Sequence, residues 1–295
     1  MCAISRLREL LPRGKFDLAG DYGGYVCSAV TCKLFGMDES QAPAALEAVN
    51  ALASFSPEID AVDIPGAYVK LRDFLMPSIS RRRAEGADGS LPLIDGLLNH
   101  RTSGEGRALS DDEICDQLIC AFVGVTEQPP KPAAIGLLLL AQHPDQLAQV
   151  RADLDTNVAI ATEEILRLGT TAQWAVRTAH KEATIAGQLI RPGQRVLFSM
   201  FSAARDEREF ENPEEFIWNR PIERTLVFGY GQHFCIGSHL TRLFVRTLVR
   251  EFLAHVRSYE FDMAEAEHSI SYFHWGWMKL PVVIGDYSLA GQDRA

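Results

Sequence analysis

The chain lacks an apolar run long enough to span a bilayer; the run from Ala133 to Ala141 falls well short. It lacks the apolar core of a secretory signal, since the opening residues, MCAISRLRELLPRGKFDL, are broken by charge. It has no surplus of basic residues: 29 Lys and Arg stand against 39 Asp and Glu, a net charge of −10 and a pI of about 5.3. A nucleic-acid binder needs a basic footprint, so that class is excluded. Its six cysteines, at 2, 27, 32, 115, 120 and 235, form no CxxC pair and no dense framework, which points to buried thiols in a reducing compartment. Internal repeats and low-complexity linkers are also missing. What remains is an ordinary globular composition, 47% hydrophobic and 23% charged, over 295 residues. That length suffices for one large core. The expectation is a single domain over 1–295 in the cytoplasm, with neither a membrane nor a nucleic-acid partner.

The patterning is mostly helical. Asp17 to Gly36, Asp38 to Phe55 and Ile64 to Ile79 read as helices, the last followed by the basic run Arg81, Arg82, Arg83, taken as a solvated helix end. Ser110 with Glu113 three residues later forms a capping-box pattern ahead of Ile114, Leu118, Ile119, Phe122 and Val123. Pro129, Pro130 and Pro132 remove backbone donors and predict a break in that helix. Helical pattern resumes at Ala133, again from Asp145 to Leu154, and from Asn157 to Leu168. Trp174 to Thr178, Ala183 to Ile185 and Arg195 to Ser199 read as strands. A long helix is predicted from about Ile236 to Val256, and a hairpin over Ser269 to Ile284. The fold class expected is mainly α with small β-sheets.

Residues 228 to 237 read Phe-Gly-Tyr-Gly-Gln-His-Phe-Cys-Ile-Gly. Gly229, Gly231 and Gly237 permit tight turns and let a flat ligand approach the backbone. Cys235 falls just before a helix whose expected apolar face is Leu240, Leu243, Phe244, Thr247 and Leu248. Free N–H groups and the positive end of the helix dipole favour a thiolate there, and a thiolate can ligate iron. For an isolated cysteine, simple burial in a Gly-rich loop is the better reading. The whole string, however, resembles at every fixed position the haem-binding loop of the cytochromes P450, FGxGxHxCxG.

That resemblance extends from about residue 10 to 284. Glu164-Ile165-Leu166-Arg167 is similar to the family's ExxR helix, and Arg220 to the arginine of its meander. The resemblance implies that Glu164, Arg167 and Arg220 are structural, a paired buried cluster supporting the haem loop; a lone buried charge would be costly. It implies haem b as cofactor, Cys235 as axial ligand, and Arg177 and His233 as partners of the propionates. It implies Phe228 as the aromatic beside the thiolate, with Gly229 and Gly237 shaping the loop. Gly124 to Gln128 falls where the family carries its oxygen-activation signature. Glu127 matches the acid, but Gln128 replaces the threonine, and an amide is a poorer proton relay than a hydroxyl. Thr126 lies at the wrong helical angle to substitute. Glu127 and Gln128 are therefore the candidate catalytic residues.

The implied reaction is insertion of one oxygen atom from O2 into an apolar small molecule. Electrons would come from NAD(P)H through a reductase and a ferredoxin. Trp174, Tyr272, Phe273 and Trp275 match pocket-lining segments, though ordinary core packing competes. Arg242, Arg246 and Arg250 recur every four residues and form either a docking stripe for an acidic ferredoxin or a solvated face. The resemblance also implies that the family's N-terminal sheet and helix region is absent. A misassigned start, a natural truncation or a second chain completing the pocket would each account for that. Two other readings stay open: a catalytically silent auxiliary protein, and a peroxide-driven haem-thiolate oxidase.

Overall fold

The computed structural model describes residues 2–53, 64–269, 271 and 273–289. Eleven α-helices follow in chain order: α1 (Cys2–Leu10), α2 (Tyr25–Leu34), α3 (Ala42–Ala53), α4 (Ile64–Glu85), α5 (Pro92–Asn99), α6 (Asp111–Glu127), α7 (Pro130–Gln142), α8 (Pro144–Ala152), α9 (Leu154–Leu168), α10 (Met200–Ala203) and α11 (Ser238–His255). Nine short strands are β1 (Lys15–Asp17), β2 (Trp174–Thr178), β3 (Ala183–Ile185), β4 (Gln188–Ile190), β5 (Arg195–Ser199), β6 (Tyr259–Phe261), β7 (Glu267–His268), β8 (Trp277–Lys279) and β9 (Pro281–Ile284). The architecture is mainly α with small sheets, as expected. Among the described residues no helix is long and apolar enough to cross a membrane.

The strands form one three-stranded sheet, β1-β9-β6, and three two-stranded ones, β2-β5, β3-β4 and β7-β8. Every pairing is antiparallel. In the three-stranded sheet Val282 sits opposite both Phe16 and Phe261, so chain segments far apart in sequence close on one core. The predicted hairpin over 269–284 divides: β8 turns back on β7, while β9 joins the other sheet. Asp17 fixes this junction, its carboxylate accepting from Ala19 and Gly20 N–H and, at 2.7 Å, from Leu280 N–H.

The predicted helix over 17–36 is two elements. Leu18–Gly24 winds as a wider π-type turn before α2 begins. The Ser110–Glu113 capping box is present with both reciprocal hydrogen bonds. The prolines do break the long helix: α6 stops at Glu127, and α7 restarts at Pro130, where a missing N–H costs nothing. This break lies between two apolar cores. Phe122 belongs to one, packed among α2 to α6, and Ala133, Leu137 and Leu140 to the other, built on α1, α7, α9 and α11.

Two sequence readings are corrected. The run 81–83 is not simply a solvated helix end, because Arg82 is 5% exposed and its guanidinium grips Asp95 at 2.8 Å and Asp88 at 2.6 Å. The buried face of α11 is Phe244, Val245, Leu248, Val249 and Phe252; Leu243 is exposed. The stripe therefore sits one position further along than the pattern indicated, because the helix starts at Ser238 and packs on α7 and α9.

Candidate functional site

The loop ahead of α11 is built by its glycines. Gly229 and Gly231 take φ of +72° and +71°, which an L side chain resists. The turn between them and Cys235 is short, with Gly231–His233 forming one 3-10 turn. It closes through Cys235 N–H donating to the Phe228 carbonyl at 2.9 Å. Cys235 is a free, half-buried thiol. A Cβ added at Gly237 would meet Cys235 Sγ at 3.8 Å and nothing else within 4 Å, so the sulfur lies beside the first residue ahead of α11. Phe228 and Phe234 flank the loop with ring centroids 6.4 Å apart.

Beneath the loop region, Glu164, Arg167 and Arg220 come together. Glu164 and Arg167 are fully buried. Arg167 makes a two-pronged pair with Glu164 at 2.7 and 2.8 Å. Arg220 Nε reaches the same carboxylate at 3.1 Å, and Ile217 N–H donates to it as well. The remaining guanidinium donors satisfy carbonyls of Ala204 and Pro213 from Arg167, and of Asn212 and Glu215 from Arg220. Every member is paired, the condition under which buried charge is tolerable.

Arg177 stands on β2, exposed, with its guanidinium 5.5 Å from the centre of the Phe198 ring and donating only to its own neighbour's carbonyl, Val176. His233 is exposed in the loop. Among the described residues neither has a carboxylate partner. Among the described residues no hydrogen bond joins Arg177 to the Cys235 loop. Trp174 and Phe273 meet edge to face at 5.2 Å, and Trp275 meets Phe201 at 5.6 Å. Tyr272 lies outside the described residues.

Glu127 and Gln128 end α6 at the helix break. Gln128 donates to Glu127 and accepts from the Thr171 hydroxyl. Two partners of Glu127 were not foreseen. Lys131, 4% exposed, forms an ion pair with it one turn on, and His274 Nδ1 lies 3.6 Å from the same carboxylate oxygen. Burial pushes the Lys131 amine down to about 7. The i,i+4 spacing of Glu127 and Lys131 was the available signal.

The basic stripe on α11 is mostly neutralised. Arg242 pairs with Glu163 at 2.6 Å and lies over the Phe228 ring at 4.6 Å; Arg250 pairs with Asp155 and Glu251. Of the three, Arg246 alone is exposed without an ionic partner among the described residues. Reversing Arg242 would disturb the loop itself, so Arg246→Glu is the clean probe of docking. Reduction by an acidic ferredoxin, followed by stopped flow, is expected to slow several-fold in R246E at low salt and to converge with wild type at high salt. Equal rates at low salt would dismiss docking on this face.

The family model for cytochrome P450 matches residues 16–281. The chain belongs to the cytochrome P450 family. It is 34% identical to cytochrome P450-SOY of Streptomyces griseus over 61% of this chain and 42% of the relative. It is 28% identical to a steroid C26-monooxygenase of Mycolicibacterium smegmatis over 85% of this chain and 63% of the relative. The solved structure of CYP108D1 from Novosphingobium aromaticivorans superposes with a TM-score of 0.82 at 26% identity, over 96% of this chain and 67% of that one. The chain thus spans about 63% of the length of the curated relatives it matches along most of its own length.

The residues present fit the family's haem. The one cysteine in the glycine-bounded loop is free and half-buried. Large apolar or aromatic side chains near it in the loop stand exposed: Phe234 at 49%, Ile236 at 99% and Tyr230 at 85%. A free thiol and the exposed basic side chains Arg177 and His233 are the donor types that a flat apolar group with two carboxylates requires.

Proposed function

We propose that this P450 is a haem-thiolate monooxygenase that inserts one oxygen atom from O2 into an apolar small molecule. The observation that carries the reading is the free Cys235 thiol, held in a glycine-shaped turn at the start of α11. Haem b, bound there, would supply oxygen activation and electron transfer. Cys235 would hold the iron, and Phe228 and Phe234 would keep water from the sulfur. Arg177 and His233 would hold the propionates, each basic group matched to a carboxylate. The Glu164–Arg167–Arg220 cluster would keep the loop in register. Glu127 and Gln128 would hold and pass protons at the break in α6.

Trp174, Phe273 and Trp275 support an apolar substrate, as does a relative whose name gives a steroid. Electrons would arrive from NAD(P)H through a reductase and a ferredoxin. A peroxide-driven variant of the same chemistry is favoured by one observation, the amide of Gln128 standing where a hydroxyl relay is expected.

The test is optical. Purified protein, reduced and exposed to carbon monoxide, should show a strongly red-shifted Soret band. A band at the position of a neutral axial ligand, or no bound haem, would overturn the proposal.

A further inference from the structure

The break between α6 and α7 holds a buried polar chain that continues beyond the family signature, from Glu127 and Gln128 to Thr171, Lys131 and His274. Thr171 donates to Gln128, Gln128 donates to Glu127, and Glu127 contacts both Lys131 and His274. Glu127, Lys131 and His274 are each no more than 6% exposed. The chain ends at a cavity of about 30 Å3, lined by Glu127, Lys131 and Thr126 on the inside and by Gly20, Asn50 and Trp277 toward the surface. That volume holds roughly two waters. The Thr126 hydroxyl, fully buried in its wall, has no hydrogen-bond partner among the described residues, the mark of a polar atom that water would satisfy. Of its lining residues Gly20, Asn50 and Trp277 are half-buried, while Thr126, Glu127 and Lys131 are buried.

We propose that Lys131, with His274, is a positioning residue that loads Glu127 with protons from this cavity, giving the distal side a route that replaces the missing hydroxyl. The step is a proton transfer only: the Lys131 ammonium gives its proton to the Glu127 carboxylate, and a proton from bulk solvent, relayed through water in the cavity, restores the ammonium. Glu127 then holds the proton at the break in α6, its carboxylate oriented by the Gln128 amide N–H. The cavity wall from the π-type turn and α3 contributes Ala19, Gly20, Gly24, Leu46 and Asn50, none ionisable. The titratable groups facing Lys131 are therefore Glu127, directly, and His274, through Glu127. Desolvation brings the amine near neutrality, where an acid is most useful as a relay. The inference rests on the haem reading above.

The experiment compares wild type, K131M and K131R as haem-loaded enzymes. One readout is NMR of 13C-labelled lysine: in wild type one lysine should titrate near neutrality, and K131M should lose that signal. The second is O2 consumption driven by NADPH through a surrogate ferredoxin and reductase, followed against pH and in D2O. Both variants should run about tenfold slower at neutral pH, with a larger solvent isotope effect and a flattened pH profile. Arginine keeps the charge but does not give up its proton, so K131R should restore thermal stability without restoring rate. A K131R enzyme with wild-type rate and isotope effect would reduce the pair to a structural one and overturn the route. So would a wild-type enzyme in which no lysine titrates below its ordinary range. Both outcomes leave the carbon monoxide spectrum intact; its loss instead overturns the haem reading, and the route with it.

Discussion

Arg167→Leu is expected to lower the stability of the fold by about 3–5 kcal/mol, because it removes one partner of a buried charge cluster and leaves the others. Arg167 is wholly buried and spends its guanidinium on Glu164, Ala204, Pro213 and Glu215. Leucine fills part of the volume but strands two carbonyls, those of Ala204 and Pro213, and one oxygen of the Glu164 carboxylate. Arg220 remains on Glu164 at 3.1 Å, so the loss should stop short of complete unfolding. Arg167→Lys should recover only part of the loss, since an ammonium cannot reproduce the fork. Urea unfolding of the single variants and of Glu164→Gln/Arg167→Leu checks the argument. The double variant should cost well under the sum of the singles, and simple additivity would show that the cluster does not act as a unit.

The same cluster marks how far the sequence could be read. Glu164 and Arg167 are three residues apart on one helix, and Ser110 and Glu113 likewise, so local spacing alone brings each pair together. Arg220 joins Glu164 across 56 residues, and only the family resemblance pointed to it. Arg82 was misread because a charge run looks the same whether it faces water or a buried aspartate thirteen residues away. Lys131 was hidden differently. It sits among prolines that announce a helix break, and its burial depends on the π-type turn and β8 packing over it. The strands β1, β6 and β9 are three or four residues long, too short for a period of two to show, and the three-stranded sheet is assembled from both ends of the chain.

Cys235→Ser should behave in the opposite way to Arg167→Leu: nearly silent for the fold and decisive for the site. The Cys235 side chain makes no hydrogen bond among the described residues. The turn is held instead by backbone, Cys235 N–H to the Phe228 carbonyl at 2.9 Å and Ser238 N–H to the Cys235 carbonyl at 3.2 Å. Serine preserves both and is close in size, and half-buried positions without special contacts usually shift stability by under about 0.5 kcal/mol. The hydroxyl does not supply the anionic sulfur that donates electron density to iron. The haem-free variant should therefore unfold in urea with wild-type midpoint and slope, while the reduced, carbon monoxide-treated protein loses the strongly red-shifted Soret band. Retention of that band in C235S would place the ligand elsewhere. A large drop in the urea midpoint would mean that Cys235 is a packing residue, which is the bland reading of a cysteine in a glycine-rich loop. The two variants together separate the group that holds the iron from the charges that hold the loop.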